Sequence, residues 1–179
     1  MNRAGLPLGM MSVAISALML VAAYCDVRTR RIPNVLTVLG FAVAIALRAT
    51  AGPGAAIDGL VAVILAFVLC LPFFVLGVLG GGDVKLLMAL GAFTGPRDLL
   101  VAMLVIASLG GILGAIDALR KGILLPVLYN CGDIIKHWAT FGRRGTNRSL
   151  ASAGALAIPY GVAIAVGSLV WWFVQVKRL

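Results

Sequence analysis

The feature that most narrows what this chain can become is a series of apolar runs, several close to or above the roughly 20 residues that cross a bilayer. They lie at about Leu8–Cys25, Val35–Ala51, Gly59–Leu79, Leu99–Leu119 and Ala151–Val174, with a shorter one at Val84–Gly95. Hydrophobic residues make up 62% of the 179, against about 45–50% in an ordinary soluble domain. A helix satisfies its own backbone in lipid and an open strand does not. The expected fold is therefore all-α, a polytopic membrane protein of about six transmembrane helices. It forms one membrane-embedded domain over residues 1–179. The fourth run is too short to cross alone. It is expected to tilt within the bundle or to stop partway.

The net charge of +9 does not point to nucleic acid, because the positive residues fall mostly in short loops between apolar runs. There they act as topology signals and meet anionic headgroups. Residues 120–150 mix Arg120, Lys121, Lys136, Arg143, Arg144 and Arg148 with Ile134, Ile135, Trp138 and Phe141. That mixture predicts a basic interfacial loop lying on the membrane. Six crossings bring the segments around Asp26 and Asp83 to the same face as this loop. Ten of the 15 Lys and Arg residues then lie on that face, so it is expected to be cytoplasmic. Arg48 is expected to snorkel at the opposite face, and Trp171-Trp172 to anchor the last helix at an interface. Met1–Cys25 imitates a cleaved signal peptide, but the Arg-rich segment behind it favours a retained helix.

The chain has only six acidic residues, all aspartates. Asp83 ends the run Gly80-Gly81-Gly82 beside an apolar segment, where a carboxylate is costly and asks for a use. Asp26 closes the first apolar run, ahead of Arg30-Arg31-Ile32-Pro33-Asn34. Two carboxylates brought close share a proton. One then serves as base for a water and the other as acid for a carbonyl and a leaving amine. Such a pair needs no metal or cofactor to hydrolyse a peptide bond. The three cysteines lie far apart and His137 is the only histidine, which argues against a zinc site. Asp58, Asp98, Asp117 and Asp133 read as loop or helix-end residues.

Asp26 with Arg30–Asn34, followed by Gly80-Gly81-Gly82-Asp83-Val84-Lys85, resembles the type IV prepilin peptidase family, membrane aspartyl proteases with a G-x-G-D motif. Ile158-Pro159-Tyr160-Gly161 is similar to that family's final helix. The resemblance implies that Asp26 and Asp83 are catalytic. It makes Gly80, Gly82, Lys85, Pro33, Asn34, Pro159 and Tyr160 candidate substrate-binding or motif-supporting residues. It implies a prepilin precursor as substrate, cut after a glycine at the cytoplasmic face of the inner membrane. Larger members carry an insertion with two CxxC pairs and also methylate the new N-terminus. The Asp26–Asn34 loop here has no cysteine pair, so cleavage without methylation is expected. The short form is like the peptidases of tight-adherence (Flp-type) pili, or archaeal preflagellin peptidases.

Two other readings use the same residues. An aspartate and a lysine beside a broken helix also suit a small ion-coupled transporter. A non-catalytic assembly factor of a pilus or secretion complex would need neither carboxylate.

Overall fold

A computed structural model describes residues 7–75, 77–122 and 160–176. Among them are six helices and no strand. They are α1 (Leu8–Thr29), α2 (Asn34–Ala49), α3 (Pro53–Val75), α4 (Gly81–Thr94), α5 (Pro96–Arg120) and α6 (Tyr160–Val176). Three of them, α1, α3 and α5, are long and apolar enough to cross a membrane, and α2 and α6 are shorter apolar helices. The all-α membrane fold expected from the sequence is the fold observed. Residues up to Gly110 together with Pro159–Leu179 form one compact unit, and Gly111–Ile158 a second. In the second, the described part is the end of α5 and a turn to Gly122, with an Asp117–Lys121 ion pair at 2.8 Å. The predicted interfacial loop lies, beyond Gly122, outside the described residues.

The first unit is built around α4, which packs against α1, α2, α3 and α6. Nine of its residues are buried: Val84, Leu86, Leu87, Ala89, Leu90, Gly91, Ala92, Phe93 and Thr94. A helix apolar on every side belongs inside a bundle. At about 21 Å for fourteen residues it could not span a bilayer unaided. The surrounding helices turn Met10, Val13, Ile64, Phe67, Val68, Val101 and Leu104 outward, as lipid-facing surfaces should. Lipid tails are as apolar as leucine, so close van der Waals contact has to hold such a bundle. Gly91 shows how close. A Cβ there would stand 2.8 Å from the backbone oxygen of Ala62, so α3 and α4 touch backbone to backbone.

Two helix ends differ from their sequence expectation. Arg48 does not snorkel: it is 1% exposed. Its guanidinium donates to Ala55 O at 2.7 Å and Phe93 O at 3.1 Å. The last carbonyls of a helix have no intrahelical donors and carry its negative dipole end. Phe93 is the last but one residue of α4, so the cation meets that end, while its other bond reaches the first turn of α3. Trp171 and Trp172 are also buried, at 4% and 2%, rather than laid at an interface. Trp172 Nε1 donates to Ser12 Oγ at 2.9 Å, tying the end of α6 to the start of α1. The two helices run antiparallel.

Arg48→Ala would leave the carbonyls of Ala55 and Phe93 without this donor in an apolar setting. We expect a loss of about 1–3 kcal/mol for each group left unpaired, read as a lower unfolding midpoint in detergent. An outward-facing substitution, Leu104→Ala, should move that midpoint far less.

Candidate active site

The end of the bundle opposite Arg48 holds the C-terminal turns of α1 and α3 and the starts of α2, α4 and α6. Helix α1 runs four residues past its predicted end, so Asp26 lies in its last turns instead of closing it. The helix stops at Arg30, whose N–H donates to Asp26 O at 2.9 Å. Arg30 stands at φ 50°, ψ 31°, a left-handed conformation that ends helices and that glycine usually supplies. The chain then turns through Ile32 and Pro33. Pro33 caps α2 with its carbonyl, which accepts from Leu36 N–H at 3.1 Å. A proline before a helix loses nothing by lacking its own donor.

Helix α3 ends at Val75, four residues short of its predicted end, and α4 begins at Gly81. Asp83 is thus the third residue of α4, at the open end of the helix and outside the apolar spans. One of its carboxyl oxygens accepts the Gly80 N–H at 3.1 Å, an acidic residue capping a helix start.

The three glycines are not here for unusual backbone angles. None has positive φ, and Gly81 and Gly82 are helical. What they supply is space, and in unequal measure. A Cβ on Gly80 would come 3.1 Å from the Asp83 oxygen that Gly80 binds. A Cβ on Gly82 would come 3.2 Å from Ile32 Cβ, the buried residue of the α1–α2 connection. A Cβ on Gly81 would meet only the Phe74 ring, at an ordinary 3.6 Å. The outer glycines hold Asp83 and the Ile32 wall in place, and the middle position is open to substitution.

Asp26 and Asp83 line one cleft of about 510 Å³. Its other walls are Arg30, Arg31, Ile32, Pro33, Asn34 and the three glycines. Asp26 is only 8% exposed. One of its oxygens accepts the Gly161 N–H at 2.9 Å. Burial holds the Asp83 carboxyl above its usual range. The Gly80 N–H pulls it back, and the charge of Asp26 pushes it up again. Burial comes first in that order, so Asp26 is a neighbour that adds to the shift and does not create it. Among the described residues no group of three His, Cys, Asp or Glu is placed to hold a metal.

Of the other sequence candidates, Lys85 and Asn34 are joined: Lys85 Nζ donates to Asn34 Oδ1 at 2.8 Å. The lysine thereby ties α4 to the start of α2 across the mouth of the cleft. Tyr160 opens α6, and its hydroxyl packs where a Gly110 Cβ would come within 3.1 Å. Pro159 lies outside the described residues. Gly161 was not among the sequence candidates. Reading one apolar run over 151–174 conceals it, although Pro-Tyr-Gly is the kind of punctuation that starts a helix.

The model of the type IV leader peptidase family matches residues 13–115, more than half of the chain. The chain belongs to that family. The match takes in Asp26, the loop to Asn34 and Gly80–Asp83, and it ends before α6. No curated protein and no solved structure matches the chain significantly. A leader peptidase is a protease, and the apolar helices make this one a membrane protein.

Two outcomes follow from the cleft. Gly81→Ala should keep leader-peptide cleavage within about twofold, whereas Gly82→Ala should lose about tenfold by displacing Asp83 from its partners. In a 13C titration of the aspartates, Asp26→Asn should leave most of the Asp83 upward displacement in place, because burial is its main cause. A return of Asp83 to the ordinary carboxylate range would show the charge of Asp26 to dominate.

Proposed function

We propose that the protein is an aspartyl endopeptidase that removes the leader of prepilin-type precursors at the cytoplasmic face of the inner membrane. The observation that carries this reading is the shared cleft. Two carboxyls from different helices meet in it, each held by one oxygen to a backbone N–H. The second oxygen of each remains for chemistry. With one proton between them, the ionised member takes a proton from water, whose oxygen attacks the scissile carbonyl. The protonated member gives its proton to the carbonyl oxygen. As the tetrahedral species collapses, the carboxyl that took the proton gives it to the leaving amine, and the carboxyl that gave one takes a proton back from a hydroxyl of the collapsing species, which restores the pair. No cofactor enters. The pair titrates as a unit, and the burial that keeps Asp83 protonated to higher pH favours Asp83 as the acid.

The surroundings suit a peptide that crosses from water into lipid. The walls are polar at Arg30, Arg31 and Asn34. The apolar faces beside them would receive the hydrophobic helix that follows a prepilin cleavage site. Arg28, Arg30, Arg31 and Lys85 at this end of the first unit support a cytoplasmic address and contact with anionic lipid. The short Asp26–Asn34 connection, without cysteine pairs, supports cleavage without methylation, as in the Flp-type peptidases.

Incubating the reconstituted protein with a synthetic precursor should give a product cut after the leader glycine. Asp26→Asn and Asp83→Asn, each inserted normally, should each lower the rate by about 10²–10⁴. Normal processing by both variants would return the choice to a transporter or an assembly factor. Proton flux into liposomes, lost with Asp83→Asn, would select the transporter.

A further inference from the structure

The contact between Asp26 and Gly161 joins residues 135 positions apart, and one partner lies beyond the segment that the family match covers. We propose that Gly161 is a positioning residue for Asp26, its N–H holding one carboxyl oxygen so that the other is presented to the cleft.

Three observations carry this. First, the bond is short and buried. Gly161 N–H reaches the Asp26 oxygen at 2.9 Å, Gly161 is buried, and Asp26 is nearly so. A buried carboxyl without a partner would be unfavourable by several kcal/mol or would change its protonation. The N–H therefore sets where the carboxyl sits and not merely how it is decorated. Second, the geometry requires glycine. A Cβ at position 161 would stand 2.7 Å from that oxygen, 2.9 Å from Asp26 Cγ and 3.0 Å from Asp26 Cβ. These atoms belong to a short side chain in the body of α1, so only the carboxyl itself can yield. Third, α6 is anchored near both of its ends. Tyr160, the preceding residue, packs its ring on Gly110 of α5. Twelve residues further on, Trp172 bonds Ser12 of α1. The first N–H groups of a helix have no intrahelical acceptor, so the one at Gly161 is available for a side chain.

The arrangement mirrors Asp83. There the donor is Gly80, three residues away on the same stretch of chain. For Asp26 the donor is brought by a different helix. The separation between the two carboxyls thus depends on where α6 sits, and Gly161 acts on the reaction through Asp26 without touching substrate.

This inference rests on the peptidase reading for its kinetic readout, and the test includes two readouts that do not. In the purified protein, carbodiimide labelling of Asp26 and Asp83 is followed by mass spectrometry for the native chain, Gly161→Ala and Gly167→Ala. Gly167 is the control, since a Cβ there meets Ile106 Cγ1 at 2.8 Å and the Ile106 backbone Cα at 2.9 Å, a clash at least as severe on the same helix but away from Asp26. Gly161→Ala should raise labelling of Asp26 at least threefold with Asp83 changed less than twofold. It should also lower kcat about tenfold with KM within twofold, a change a 1 Å displacement can produce. Unchanged Asp26 labelling, or equal effects from Gly167→Ala, would overturn the proposal. Should Gly161→Ala not fold, amide exchange at Gly161 decides. Protection in the native chain should fall at least tenfold in Asp26→Ala, and undiminished protection would show that the carboxyl is not the partner. A chain that cleaves no precursor would refute the peptidase reading while labelling and exchange still judge this bond.

Discussion

The ends of a helix enclosed by other helices need partners from the protein, and α4 is such a helix. Nine of its fourteen residues are buried, and four other helices pack against it. The two ends are treated in opposite ways. At the last turn, Arg48 reaches in from α2 and closes the helix by donating to Phe93 O, and the same guanidinium holds the first turn of α3. At the first turn, no such plug is present. Gly80 caps through Asp83, and beyond them lies a cleft lined by polar groups. One end of α4 is closed by a side chain from another helix, and the other faces a cleft.

Glycine makes this possible by volume rather than by flexibility. Gly91 lets α3 and α4 meet backbone to backbone. Gly80 and Gly82 leave room for a carboxylate and for Ile32. Gly161 lets the start of α6 come within a hydrogen bond of Asp26. All four are positions where a methyl group would occupy space already taken. The left-handed residue at the site is by contrast Arg30, where glycine would be the easier choice. A residue held against its preference beside a cleft is a sign of local function, and its guanidinium forms part of the wall.

Much of the architecture was legible in the sequence because the bilayer imposes a length scale. The apolar runs, their order and the shortness of the fourth all reappear. Both aspartates were legible because a carboxylate beside an apolar run is rare enough to need a reason. Helix ends were less so. Asp26 and Asp83 lie inside helices and not beside them, since capping by Arg30 and Gly80 depends on backbone angles that composition does not encode. Arg48 and the tryptophan pair were assigned to interfaces because such residues favour them on average. The interior placement follows from carbonyls and a serine on other helices, which local pattern does not show. Gly161 stands in the Ile158–Gly161 motif, but local pattern does not show its role for the same reason. Its partner is a helix at the other end of the chain.

That distance in sequence has a consequence for biosynthesis. A membrane protein enters the bilayer from its N-terminus, and both aspartates are in place long before residue 160 is made. Until then Asp26 lacks the donor that α6 brings, whatever the rest of the cleft has become. A nascent or truncated chain that stops before residue 160 would therefore hold two carboxyls without their final arrangement. Of the contacts described at Asp26, the one from α6 is thus the latest to become possible as the chain is made.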